Sequence, residues 1–155
     1  MTDRPGIEIQ YAMSAEGLPA EDSVRQWAGL ALADTAGNPE LTIRIVDEAE
    51  ITVLNHRYRG KDYPTNVLSF PYQALPGVES SLLGDVVICA PVVVREAVAQ
   101  SKTLDAHWAH MVIHGVLHLL GYDHHDSGEA TRMEQHETGL LNRLGYTDPY
   151  LSHSD

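Results

Sequence analysis

The chain has 155 residues, 43% of them hydrophobic and 21% charged, and carries 22 Asp and Glu against 10 Lys and Arg, a formal charge of −12 with the histidines neutral. That length suits one compact unit with its own core, and the composition excludes an intrinsically disordered chain. So acidic a balance argues against broad binding to nucleic acid, which needs basic faces that release counterions from phosphate; any such grip must come from a local basic cluster.

A single domain over residues 1–155 is expected. The opening MTDRPGIEIQYAMS has no basic stretch followed by an apolar run, and no segment approaches the ~20 apolar residues of a membrane span, so the expectation is a cytoplasmic protein without a membrane partner.

IEIQYAM (7–13) alternates apolar and polar side chains and predicts a strand. LPAEDSVRQWAGLALADTAG (18–37) predicts a helix, with Pro19 at its start, Glu21 and Asp22 in the first turn, Val24, Trp27, Leu30 and Ala31 at helical spacing, and Gly37 as its stop. ELTIRIVD (40–47) returns to alternation, and EAEITVLNHRY (48–58) predicts a short amphipathic helix with Ile51, Leu54 and Tyr58 inward. The Pro- and Gly-containing stretch 59–84 reads as loop around a brief strand at 66–70.

GDVVICAP (84–91) predicts a buried strand, after which Pro91 opens the helix VVVREAVAQS. Cys89, the lone cysteine, sits in that strand and reads as a buried, inert thiol. Thr103 is a candidate N-cap for a helix running to Gly121. Residues 126–145 predict the last helix, with Asp126 and Glu129 at capping-box spacing and Gly145 at its end. The fold class is α+β, a small mixed sheet of about four strands covered by helices.

HGVLHLLGYDHHD (114–126) carries the chemistry. His114 and His118 lie four apart on the predicted helix, so they project from one face about 40° apart and ~6 Å along the axis. Gly121 can adopt the left-handed conformation that ends a helix, bringing His124 back toward the same face. The resulting H-x-x-x-H-x-x-G-x-x-H has the spacing of the metzincin zinc site on a zincin-like helix, but position 115 is Gly, so the general base of H-E-x-x-H is absent. Three histidines with one open position is the pattern of catalytic rather than structural zinc. His125 or Asp123 can replace His124 as third ligand, and His107 and His110 extend the stripe as hydrogen-bonding or pocket-lining residues.

With that motif, YRGKDYPTNVLSFP (58–71), LLGDVVI (82–88) and LGYTDPY (144–150), the chain resembles the YbeY family of bacterial rRNA maturation factors over roughly residues 40–150. The resemblance implies that His114, His118 and His124 bind one Zn²⁺ and that Arg59 is the functional, catalytic arginine. It further implies a single-strand-specific endoribonuclease acting in 16S rRNA 3′-end maturation and ribosome quality control, with single-stranded RNA and the small ribosomal subunit as partners and no DNA expected. Asn66 stands where other members have Asp.

Arg57, Arg59 and Lys61 form the densest basic cluster of the chain, suited to gripping phosphates, and Tyr63, Phe70 and Tyr72 nearby could stack bases or belong to the core. On this reading zinc polarises a phosphoryl oxygen or activates a bound water, Arg59 stabilises developing charge, and the nucleophile is water or the ribose 2′-hydroxyl. Two rivals share the spacing: a metallopeptidase, which Gly115 disfavours, and a ribosome-assembly protein whose zinc is purely structural.

Overall fold

The computed structural model of the chain describes residues 6–14, 17–35, 37–73, 75–77, 80–122 and 127–146. Its elements are β1 (Gly6–Tyr11), α1 (Glu21–Ala31), β2 (Glu40–Val46), α2 (Glu48–Arg59), β3 (Val67–Pro71), β4 (Leu82–Cys89), α3 (Ala90–Ala99), α4 (Leu104–Leu119) and α5 (Ser127–Arg143). The strands make one four-stranded sheet in the order β1-β2-β4-β3, with β1, β2 and β4 mutually parallel and β3 antiparallel along β4. The architecture is the α+β fold with a small mixed sheet that alternation and helical spacing predict.

Strand periodicity assigns the two faces of the sheet. Ile43 and Ile45 of β2 and Val86 and Ile88 of β4 are fully buried in the main core with Val24, Trp27, Trp108, Ile113 and Met133 from α1, α4 and α5. Val46, Leu68, Val87 and Cys89 pack with Ile51 of α2 and Val92 of α3 in a smaller cluster. On β3 the same parity sends Val67 to the main core and Leu68 and Phe70 to the α2 side.

Two elements depart from the sequence expectation. The first helix ends at Ala31, with Leu32 as its C-cap, instead of running to Gly37. Its buried face finishes there, no cation occupies the last turn, and Asp34 and Thr35 favour turns over helix. In α2 Ile51 and Asn55 are buried and Leu54 packs partly buried against the same cluster, while Tyr58 is 59% exposed. Asn55 is tolerated inside because its Nδ2 donates to the Tyr63 carbonyl at 2.9 Å, which ties down the loop that follows. The proposed cap Asp126 lies outside the described residues.

Candidate metal centre

Helix α4 starts where Thr103 Oγ1 accepts the Ala106 N–H at 3.2 Å, a side-chain cap as predicted. It ends in a Schellman turn: the Gly121 N–H donates to the His118 carbonyl and the Tyr122 N–H to that of Leu117, both at 3.1 Å, with Gly121 at φ 103°. The chain therefore reverses immediately after the second motif histidine. Tyr122 then stacks on His136 of α5 with ring centroids 5.2 Å apart, which places α5 beside the end of α4.

Gly115 presses against the sheet. A Cβ at that position would lie 2.4 Å from Val86 Cγ1 and 3.2 Å from Val67 Cγ2, so only a residue without a side chain lets α4 lie this close. Ser69 of β3 completes the contact by donating its hydroxyl to the Gly115 carbonyl at 2.9 Å.

That seating fixes the histidines. The Nε2 atoms of His114 and His118 are 3.2 Å apart, on rings whose centroids are 4.6 Å apart. Two nitrogens bound at about 2.0–2.1 Å to one tetrahedral zinc are about 3.3 Å apart, so the pair has the spacing of ligands on a shared ion. Behind it, His114 Nδ1 donates to Glu137 Oε1 at 2.5 Å, and His110 Nε2 meets Glu137 Oε2 at 3.0 Å. Glu137 is fully buried. Burial alone would push its carboxyl up, but the bonds to His110 and His114 outweigh that and hold it well below the usual carboxylate range. Ligand atoms of His110, His114 and Glu137 all lie within 4.8 Å of one another, so this group too could hold a metal ion.

One turn earlier on α4, His107 Nε2 meets Glu96 Oε1 of α3 at 2.9 Å, and Asn66 Nδ2 donates to the same carboxylate at 3.1 and 3.2 Å. Burial is the main influence on His107 and lowers its pKa, with the Glu96 bond opposing it. An amide suits position 66 because its neighbour is a carboxylate, which a second carboxylate would repel.

On the opposite face of the sheet, under α2, lies a cavity of about 970 Å³ whose lining includes Arg44, Tyr58, Arg59, Ser69, Phe70 and Asp85. Arg44 is committed there: its Nε and Nη2 donate to Glu50 at 2.6 and 3.1 Å, and its Nη1 to Gln10 at 2.9 Å. Arg59, exposed at the end of α2, makes no hydrogen bond or ion pair among the described residues. Ser69 joins the two faces, since it lines this cavity and also bonds Gly115 of the histidine helix.

The sequence model of the family described as Endoribonuclease YbeY matches residues 12–145. The chain belongs to the YbeY endoribonuclease family. Membership carries an endoribonuclease role in rRNA processing. The solution structure of TM1509 from Thermotoga maritima is similar in fold, with 24% identity over 95% of this chain and 97% of that one and a TM-score of 0.61.

Set on this YbeY-family fold, the residues singled out in the sequence do not all come together. His114 and His118 converge on one another. Arg59 lies at the α2-side cavity, across the sheet from α4. His124, with Asp123 and His125, lies outside the described residues. His107 and His110 are each bonded to a carboxylate, Glu96 and Glu137 respectively. Among the aromatics, Phe70 packs edge-on against Tyr58 with centroids 4.9 Å apart, while Tyr63 and Tyr72 are about half exposed, at 54% and 49%.

Sequence reasoning missed Glu137, and a signal for it existed. Met133, Glu137, Leu140 and Leu141 are the buried residues of α5, at the i, i+4, i+7, i+8 spacing of an inward stripe, so a carboxylate occupies an apolar position. Among the described residues no helix is long and apolar enough to cross a membrane.

Proposed function

We propose that this protein is a zinc-dependent, single-strand-specific endoribonuclease in which His114, His118 and His124 hold one Zn²⁺ and Arg59 is the catalytic arginine, acting in 16S rRNA 3′-end maturation and ribosome quality control. The supporting observation is the 3.2 Å approach of the His114 and His118 Nε2 atoms at the end of α4, in a chain of the YbeY family. The outward-facing pair is preferred over the His110, His114 and Glu137 group as the seat of the ion, because both Glu137 oxygens are already engaged and the carboxylate is sealed from solvent.

When bound, zinc supplies Lewis-acid activation at the phosphodiester. The protein's part is to present two imidazole nitrogens from one rigid helix, and to turn the chain at Gly121 so that His124 can return toward them. Arg59, in the cavity on the other face of the sheet, adds a guanidinium uncommitted to any described partner, suited to a phosphate of the same RNA strand. The cytoplasm, the small ribosomal subunit as partner, and a single domain over 1–155 complete the reading.

Elemental analysis of purified protein, run beside cleavage of a single-stranded RNA, tests it. One zinc per chain is expected, with both zinc and cleavage lost in His114→Ala. Cleavage at the wild-type rate by metal-stripped protein overturns zinc dependence. Zinc retained without cleavage of any RNA favours the binding-only assembly factor.

A further inference from the structure

Glu137 belongs to α5, and nothing in the histidine motif of α4 calls for it. Its carboxylate is nevertheless the most tightly engaged group near the site: fully buried, with one oxygen on His110 and the other on His114. A carboxylate can only accept, so the proton in the His114 contact resides on Nδ1. With a single ring proton held on Nδ1, Nε2 is the nitrogen that carries the acceptor lone pair, and His114 Nε2 is the atom facing His118 at 3.2 Å.

We propose that Glu137 is a positioning residue of the metal centre: by accepting from both His110 and His114 it fixes the His114 ring as the Nδ1–H tautomer, with Nε2 presented to the ion. The inference rests on the reading of His114 as a zinc ligand. A general-base role is excluded by placement, because both oxygens are occupied and lie on the Nδ1 side of the ring, away from Nε2. His110 has a definite part as well. Its bond to Oε2 stops the carboxylate from turning, so Oε1 stays directed at His114. Carboxylates behind ligating histidines act in this way in metal sites generally, orienting the ring and raising its basicity.

Two measurements that do not depend on RNA cleavage test the proposal. The first is the ring-nitrogen NMR correlation spectrum of ¹⁵N-labelled, metal-free wild-type protein, in which His114 is expected as the Nδ1–H tautomer; an Nε2–H tautomer overturns the proposal. The second is zinc affinity by competition with a chromophoric chelator for wild type, Glu137→Gln and, as a control for lost charge on the same helix, Glu134→Gln. Glu137→Gln is expected to weaken zinc binding about 10–100-fold, and Glu134→Gln to leave it unchanged. Equal affinity in wild type and Glu137→Gln defeats the inference while the ligand reading stands, whereas wild-type protein that binds no zinc defeats the ligand reading itself. If Glu137→Gln fails to fold by circular dichroism, the wild-type tautomer decides alone.

Discussion

Gly115 and Val86 set the distance between α4 and the sheet: the glycine's α-carbon is so near that a methyl group on it would reach to 2.4 Å from Val86 Cγ1. The position that bears the catalytic carboxylate in an H-E-x-x-H helix is therefore a packing contact in this protein, facing the core and not a substrate. Gly115→Ala is expected to lower stability by about 1–3 kcal/mol, read as a reduced urea midpoint at constant m-value. Gly115→Glu should lose more and gain no peptidase activity; an unchanged midpoint in the alanine variant would show that α4 can move away at no cost.

His118 is half-buried at the solvent end of the pair, so removing its ring should disturb metal binding far more than folding. At zinc about 1,000-fold above its dissociation constant, a bound ion stabilises the folded state by about 4 kcal/mol. Wild-type protein should show a corresponding rise in melting temperature on adding zinc, and His118→Ala little or none, while the two melt together in chelator. Equal zinc-induced shifts would remove His118 from the ligand set.

Arg59 has no structural partner to lose among the described residues, and it stands at a cavity where Arg44 is already engaged by Glu50. Arg59→Ala should therefore keep wild-type stability and zinc content yet cleave RNA about 10²–10³-fold more slowly, the usual cost of losing one charge-stabilising donor. Arg59→Lys should recover only part of the rate, since an ammonium cannot reproduce the planar fork of donors. A slow Arg59→Ala that has also lost its zinc would move the residue from catalysis to assembly of the site.

His107 provides a pH dependence with a definite sign. Burial holds its folded-state pKa below the ordinary value of 6.5, so the unfolded chain binds this proton more readily than the folded one. Stability from this group is complete above the unfolded value and declines as pH falls through 6.5 toward the folded pKa. In chelator, urea unfolding between about pH 7.5 and about pH 5.5 should give a shallower loss for His107→Gln than for wild type. Parallel curves would mean that other groups carry the acid sensitivity.

Features governed by short-range periodicity are legible in the sequence. Alternation in ELTIRIV places Leu41, Ile43 and Ile45 on one face, and the four-residue spacing of His114 and His118 with Gly121 behind it specifies a converging pair of rings and a helix stop. Contacts between distant segments are not. Glu137 is 23 residues from His114 and reads locally as one more acid on a charged helix, unless its place on the Met133, Leu140 and Leu141 stripe is noticed. Asn55 was hidden in the same way, four residues after Ile51 on the inward face of α2, where tyrosine at 58 looked the more apolar choice. In each case a hydrogen bond to a partner outside the helix outweighed residue type. The early end of α1 is a different failure, because helix propensity fades gradually and the terminal glycine marks the following turn instead of the last helical residue.

That α5 supplies the buttress for His114 has a temporal side. A chain that has formed α4 but not yet docked α5 holds its imidazoles without the acid behind them and leaves the seat of Met133, Leu140 and Leu141 vacant. Orientation of the His114 ring and closure of the hydrophobic interior thus both wait on the docking of one helix, α5.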